Sequence, residues 1–264
     1  MNDIATRIKE INKKNDGAFI AYLMAGDPTP GRSMNYIRAL AAGGADLIEL
    51  GVPFSDPVAD GPTIQAAGNR ALKKTDRLES VFELVKKVRE EIEVPLILMS
   101  YYNPVLQFGE TKFLKKCWET GVGGVILPDL LPEEGGEFIR SAKEASVATP
   151  LLATPGTDKK RLPEVAKNAT GFLYLVSRPG TTGAKSGVGK ITTNAIKSVR
   201  PLVPEELPVC VGFGLSTPDQ IRQVIQAGAD GAIVGSAIVS RVGNGDKPEE
   251  VERFVSELKE GTKL

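Results

Sequence analysis

Short apolar runs recur along the chain, and the segments between them place apolar residues at helical spacing. About eight such runs occur: Phe19–Met24, Leu47–Gly51, Leu96–Tyr101, Gly124–Pro128, Thr149–Ala153, Gly171–Val176, Val209–Gly212 and Gly231–Gly235. This alternation of short strands and helices is typical of a parallel β/α architecture. Because 264 residues match the size of one α/β barrel, we predict a single-domain (β/α)8 TIM barrel over residues 1–264.

Glycine-containing joints precede several predicted strands, at Ala42–Asp46, Thr120–Gly124 and Ala227–Gly231. A glycine that ends a helix adopts the left-handed conformation, and the chain then enters the next strand. Thr217–Gln220 carries the opposite signal, a helix start with a capping threonine and an early proline. The same alternation could build a doubly wound open sheet. Strand number and chain length favour the barrel, and no low-complexity linker divides the chain.

The first 16 residues place Ile4, Ile8 and Ile11 at helical spacing among charged residues. This pattern predicts an extra N-terminal amphipathic helix rather than a signal peptide. No apolar run approaches the roughly 20 residues that a membrane span requires. We therefore expect a soluble, cytoplasmic protein.

Charge and cysteine content narrow the classes of function. Lys+Arg and Asp+Glu are both 33, so no basic excess is available for a nucleic-acid backbone or an anionic membrane. A phosphorylated small molecule needs only a local site. Of the two cysteines, Cys117 and Cys210, the second lies in an apolar run, which favours a buried thiol in a reducing compartment over a disulfide.

The chain contains no histidine. This excludes Ser-His-Asp and Cys-His catalysis and removes the commonest protein ligand of zinc and iron, so we expect no metal site. Any general acid or base must be Asp, Glu, Tyr, Lys or Cys.

Glu49 interrupts the apolar strand run Leu47–Gly51 and is expected to point into the barrel. A buried, unpaired carboxyl has a raised pKa and can both give and take a proton near neutrality. The alternative is a glutamate paired with Lys or Arg, which the segment alone slightly favours.

The loop Pro53–Thr63 is rich in residues that restrict the backbone and contains two more acids, Asp56 and Asp60. Asp60 precedes Gly61 and Pro62, so it could be a simple helix cap. Asp56 could be a turn residue. A stiff loop after a strand also suits the presentation of a catalytic carboxylate.

Glycine-containing turns follow the last three predicted strands, at Ser177–Ala184, Gly212–Ser216 and Gly235–Ile238. Their backbone N–H groups could converge on a phosphate, together with a helix that begins near Ser236. Each turn taken alone is more simply a plain turn. A dinucleotide fingerprint and a P-loop both lack required residues here, so nucleotide binding is not supported.

The segment Arg178–Lys190 is long, glycine-rich and basic, which indicates a lid over the site or a surface loop, with the lid preferred. Four tyrosines lie in or just after strand runs: Tyr22, Tyr101, Tyr102 and Tyr174. They could line a flat apolar pocket for an aromatic substrate, although core packing is the commoner role of any one of them.

Taken together, these segments resemble the tryptophan synthase alpha family. Leu50–Pro57 and Ala59–Gln65 are similar to that family's signature segment, which is highly specific. The resemblance covers nearly the whole chain and includes Ala25–Pro28, Tyr101–Pro104, Pro128–Leu130, Ser177–Arg178, Gly212–Gly214 and Gly235–Val239. Pro179 and Thr181 depart from the small and apolar residues that are more common in the family's lid.

The resemblance implies an activity, the cleavage of indole-3-glycerol phosphate to indole and glyceraldehyde 3-phosphate. It makes Glu49 the proton-transfer carboxyl and Asp60 the carboxylate that holds the indole N–H, with Thr182 of the lid positioning Asp60. The remaining substrate contacts that it implies are aromatic ones and amides at the phosphate: Tyr22, Tyr174, Gly183, Gly214, Gly235 and Ser236.

The resemblance also implies that this subunit needs no cofactor and that its partner is a beta subunit with pyridoxal phosphate, in an αββα heterotetramer. Two other functions stay open. The chain could be a stand-alone indole-3-glycerol phosphate lyase without a beta partner. It could also be a non-catalytic barrel that binds a phosphorylated ligand, although a scaffold has no need of Glu49 and Asp60.

Overall fold

The structure is a computed structural model that describes residues 3–75, 77–176, 190–212 and 214–264, without the side chains of residues 190 and 191. Eight strands form one sheet: β1 Ala18–Met24, β2 Leu47–Gly51, β3 Leu96–Met99, β4 Val122–Ile126, β5 Leu151–Ala153, β6 Leu173–Val176, β7 Val209–Gly212 and β8 Gly231–Val234. The helices within these ranges are α1 Ile4–Asn12, α2 Pro30–Ala42, α3 Pro62–Ala71, α4 Leu78–Arg89, α5 Tyr102–Phe108, α6 Glu110–Thr120, α7 Gly136–Glu144, α8 Leu162–Asn168, α9 Lys190–Val199, α10 Pro218–Gln226, α11 Ser236–Asn244 and α12 Pro248–Lys259.

The strands pair in parallel in the order β4-β3-β2-β1-β8-β7-β6-β5. The first strand therefore pairs with both the second and the eighth, which an open doubly wound sheet does not do. Between β4 and β5, Val125 N–H donates to the Ala148 carbonyl and Ala148 N–H donates to the Gly123 carbonyl, at 2.8 and 2.9 Å. The predicted (β/α)8 TIM barrel is confirmed.

Two strands, β2 and β7, have the predicted limits, and the limits of the others differ by at most two residues. β4 begins at Val122, inside the predicted glycine joint, and β3 ends at Met99, two residues before Tyr101. The connections after β2, β3 and β8 each hold two helices rather than one. Short-range patterns located the strands, but pairing with neighbours fixed where each strand ends.

Three apolar clusters hold the barrel together. The largest lies between the strands and the outer helices. The second lies in the barrel interior and includes Ile4, Ile8 and Ile11 of the predicted N-terminal helix. The smallest joins β1 to α3 and α11. Helix α1 approaches closely, because a Cβ at Gly124 would lie 2.9 Å from the Ile4 Cδ1 atom. The helix therefore closes the amino-terminal end of the barrel.

The predicted glycine joints adopt positive φ angles, +93° at Gly44, +77° at Gly121 and +103° at Gly228. In two of these joints the following aspartate ties neighbouring strands together. Asp46 accepts the N–H of Phe19 at 2.8 Å and Asp230 accepts the N–H of Val209 at 2.7 Å. The sequence repeat is thus a structural repeat at the amino-terminal end of the barrel.

Candidate active site

A cleft opens at the carboxyl ends of the strands, where active sites of this fold lie. The cleft encloses about 580 Å³ of space that is continuous with solvent. Its lining consists of Tyr22, Glu49, Ala59, Asp60, Ile64, Met99, Ile126, Pro128, Leu152, Tyr174, Gly214, Ile233, Gly235 and Ser236. Seven of the nine predicted site residues are among these. The other two, Thr182 and Gly183, lie outside the described residues, as does the predicted lid Arg178–Lys190 except its last residue, at which α9 begins.

Glu49 stands in β2, paired in register with Tyr22 of β1 and Ile97 of β3. Its side chain is buried, and its Oε2 atom has no hydrogen-bond partner among the described residues. The pairing with Lys or Arg that the segment alone favoured is not found in the described ion pairs. Burial raises the pKa of Glu49 to about 8, and the nearby charge of Asp60 adds to the rise.

Asp60 lies at the end of the loop after β2 and is 8% exposed. The N-cap of α3 is Gly61, without a side-chain cap, so the interpretation of Asp60 as a simple helix cap is wrong. Its carboxylate is thus free of the helix end and lines the cleft. Burial raises the pKa of Asp60 to about 6, while a hydrogen bond from Tyr101 acts in the opposite direction. Asp56 is exposed and bonded to Ser55, outside the lining.

Tyr101 also belongs to the site, through a contact with Asp60 that the sequence did not predict. Its hydroxyl accepts the Ala59 N–H at 3.0 Å and hydrogen-bonds to the Asp60 carboxylate. The sequence could have indicated a role for Tyr101 through its position just after a strand, at the end of the barrel where active sites lie. Tyr102 points elsewhere, since its hydroxyl donates to Glu110 at 2.8 Å. Its predicted place in an aromatic pocket is therefore not found.

The two tyrosines of the cleft require glycines on adjacent strands. A Cβ at Gly51 would overlap the Tyr22 hydroxyl, and a Cβ at Gly212 would overlap the Tyr174 hydroxyl. Both rings therefore extend along their strands toward the carboxyl end, above a glycine of the next strand. Burial raises the pKa of both tyrosines well above the usual value.

The far end of the cleft is formed by Gly214, Gly235 and Ser236. Ser236 is the first residue of α11, as predicted, and Gly235 precedes it as the N-cap. The N–H groups of a first helical turn have no acceptor within the helix and carry positive potential. Gly214 has a φ of +88°, a conformation that favours glycine. This end can accept an anion.

In the described part of the chain, no group of three or more His, Cys, Asp or Glu residues is arranged to hold a metal ion. Across the same residues, no helix is long and apolar enough to cross a membrane.

Fold and site together define a class, the (β/α)8 barrels that carry a pair of buried carboxyls in the cleft at the carboxyl ends of their strands. The comparisons with known proteins narrow this class. The chain belongs to the tryptophan synthase alpha chain family, whose model matches residues 8–263.

Relatives and solved structures agree with this membership. A tryptophan synthase alpha chain of Methanosarcina barkeri is 42% identical over 261 residues, which cover 98% of this chain and 97% of that one. A structure from Aquifex aeolicus VF5 superimposes with a TM-score of 0.91 at 36% identity and covers all of both chains. A structure of Mycobacterium tuberculosis tryptophan synthase has a TM-score of 0.90 at 32% identity, over 99% of this chain and 98% of that one.

Proposed function

We propose that this chain is the lyase that cleaves indole-3-glycerol phosphate into indole and glyceraldehyde 3-phosphate, the alpha reaction of L-tryptophan biosynthesis. The observation that carries the proposal is a pair of buried carboxyls, Glu49 and Asp60, that line one cleft without a cation beside them among the described residues. Their pKa values of about 8 and about 6 provide one protonated and one ionised carboxyl near neutral pH.

The two carboxyls then have different tasks. Protonated Glu49 gives its proton to C3 of the indole ring, and ionised Asp60 accepts the indole N–H and stabilises the positive charge that develops on nitrogen. The hydroxyl next to the breaking bond returns a proton to Glu49. The electrons of the carbon–carbon bond flow back into the ring, so that indole and the aldehyde leave and Glu49 is protonated again.

The remaining lining matches the two ends of this substrate. Ile64, Met99, Ile126 and Leu152 offer an apolar surface beside the acids, where an indole ring loses water favourably. Tyr22 and Tyr174 contribute aromatic edges. The amides of Gly214, Gly235 and Ser236, with Gly183, bind the phosphate at the start of α11. A crystal soaked with the substrate should show its phosphate there, and an anion bound elsewhere would remove this assignment.

This subunit requires no organic cofactor or metal for that reaction. Its partner is a tryptophan synthase beta subunit with pyridoxal phosphate, in an αββα heterotetramer. Exposed apolar side chains support a partner on the active face, because Val58, Leu106 and Leu131 lie after three successive strands and are 77%, 50% and 46% exposed. Large apolar side chains exposed on one face are typical of a protein interface. Binding of the partner raises the rate by favouring a closed site, to which Thr182 contributes.

The test is an assay of indole release from indole-3-glycerol phosphate, with and without a beta subunit. Release that the beta subunit accelerates supports the proposal. Equal release in both assays, without association on gel filtration, would indicate a stand-alone lyase. No release in either, with substrate still bound, would indicate a non-catalytic barrel.

A further inference from the structure

Two buried polar atoms of the cleft have no hydrogen-bond partner among the described residues. They are the Tyr22 hydroxyl and the Glu49 Oε2 atom. The residues that carry them face each other in register across β1 and β2. A hydroxyl is a donor, and an ionised carboxylate is only an acceptor, so the two atoms are chemically complementary.

Among the groups near Glu49, Tyr22 offers a buried hydroxyl that has no hydrogen-bond partner in the described part of the chain. Asp60, from the loop after β2, is a second acid and accepts rather than donates when ionised. Tyr174 also lies near enough for Glu49 to affect its pKa, and it has interactions of its own. Lys and Arg are absent from the described lining of the cleft.

The position of the Tyr22 ring is fixed by its neighbours. A Cβ at Gly235 would stand 3.4 Å from the ring, and a Cβ at Gly51 would overlap the hydroxyl, so the ring lies close over both glycines. The side chain is only 5% exposed. The hydroxyl is thereby held over β2, the strand that carries Glu49, two residues from the Glu49 position.

We propose that the Tyr22 hydroxyl donates a hydrogen bond to the Glu49 carboxylate whenever Glu49 is ionised, which makes Tyr22 a positioning residue that strengthens Glu49 as an acid. The inference rests on the proposed function, in which Glu49 releases and regains a proton in each turnover. Protonated Glu49 needs no such donor. The ionised form, once the proton has moved to the substrate, is the form that a donor stabilises.

The test is the variant Tyr22→Phe, which removes the hydroxyl and keeps the ring. Titration of the free protein, followed by carbon-13 NMR of labelled glutamate carboxyls, should show the pKa of Glu49 raised by about one unit, the effect of a lost hydrogen bond to a charged group. The alkaline limb of kcat/KM should move up with it. At neutral pH, kcat should fall about tenfold, with KM within about twofold because the ring contact remains.

Tyr102→Phe is the matched control, because it removes a hydroxyl that donates to a different carboxylate, Glu110, outside the cleft. It should leave the Glu49 titration and both limbs of the pH profile unchanged. Thermal unfolding of both variants verifies folding.

Two results would overturn the inference. If the pKa of Glu49 is the same in Tyr22→Phe as in the wild type, the hydroxyl does not interact with the Glu49 carboxylate. If the substitution shifts only the acid limb of the pH profile, the hydroxyl acts on Asp60 instead. Because the NMR titration needs no substrate, the two proposals can fail separately. A wild-type protein that does not cleave indole-3-glycerol phosphate, yet shows the Glu49 shift on substitution, would refute the proposed function alone.

Discussion

Both ends of the barrel carry buried or half-buried acids, but the acids of the amino-terminal end and those of the cleft differ in whether a cation lies beside them. At the amino-terminal end, Asp16 and Asp46 share Lys259, each 2.9 Å from its Nζ atom. Asp230 lies 3.7 Å from Arg200 and accepts a backbone N–H. At the carboxyl end, Asp27 is likewise paired, with Arg70 at 2.8 Å, but no cation accompanies the cleft acids Glu49 and Asp60 among the described residues.

The difference shows how one fold separates stability from chemistry. An acid paired with a cation can join distant parts of the chain, as Lys259 joins α12 to Asp16 and Asp46 at the starts of β1 and β2. A buried acid without a cation opposes folding in its charged form, so burial raises its pKa. The acids whose pKa values are raised in this way lie in the cleft, where a substrate can react with them.

The largest expected effect is on turnover, in Glu49→Gln. The variant keeps the shape of the side chain but cannot transfer a proton, so kcat should fall by about a thousandfold or more, with substrate binding largely retained. Steady-state cleavage assays and calorimetric binding measure the two quantities. Near wild-type cleavage would reduce Glu49 to a structural carboxyl.

Asp60→Asn should lower kcat by at least about a hundredfold, because it removes the charge that stabilises the developing cation. Proton transfer by Glu49 is left in place. Cleavage rates from pH 5 to 9 provide the measurement. In the wild type, the activity should fall below about pH 6 as Asp60 is protonated and above about pH 8 as Glu49 ionises. An acid limb that persists in the variant would show that another group titrates there.

The opposite end should respond in stability rather than in turnover. Lys259→Met leaves Asp16 and Asp46 without their shared cation and should lower the free energy of unfolding by about 3 kcal/mol, with kcat of the folded protein unchanged. Lys263→Met is the control, because its pair with Glu260 is exposed and should contribute less than about 1 kcal/mol. Urea unfolding measures both. Equal losses in the two variants would contradict the comparison.

The dependence of stability on pH should also differ between a buried acid of the cleft and an exposed acid at the opposite end. Because folding raises the pKa of Glu49 from 4.5 to about 8, the folded protein binds a proton that the unfolded chain releases, and Glu49 costs progressively more stability as pH rises through that window. The melting temperature of Glu49→Gln relative to wild type should therefore increase from pH 5 to 8 and then level off. Glu260→Gln, at an exposed position, should show no comparable trend.

The smallest effects are expected from the replacement of two glycines, Gly214 and Gly228, that have similar backbone angles. Gly214→Ala and Gly228→Ala each place a side chain at positive φ, +88° and +103°, in otherwise open space. Each should cost roughly 1–2 kcal/mol of stability. Only Gly214→Ala, at the proposed phosphate end, should also raise KM. A raised KM in Gly228→Ala would show that this distinction does not hold.

Much of the framework was predictable from local patterns. Strand runs separated by helices indicated the barrel because each strand is buried on both faces, which leaves an unbroken apolar run in the sequence. Gly44 and Gly228 marked helix ends because few other residues adopt their φ angles. The helix that begins at Ser236 and the plugging helix with Ile4 and Ile8 followed from equally local signals.

What the tertiary structure alone decided is the environment of the acids. Neither the absence of a cation beside Glu49 in the described residues nor the contact of Tyr101 with Asp60 is encoded at short range, because the partners are far apart in the chain or on different strands. The same holds for Asp60, whose sequence context suited a helix cap equally well. A carboxyl's pKa depends on desolvation and on charges within a few ångströms, and only folding determines which groups come that close.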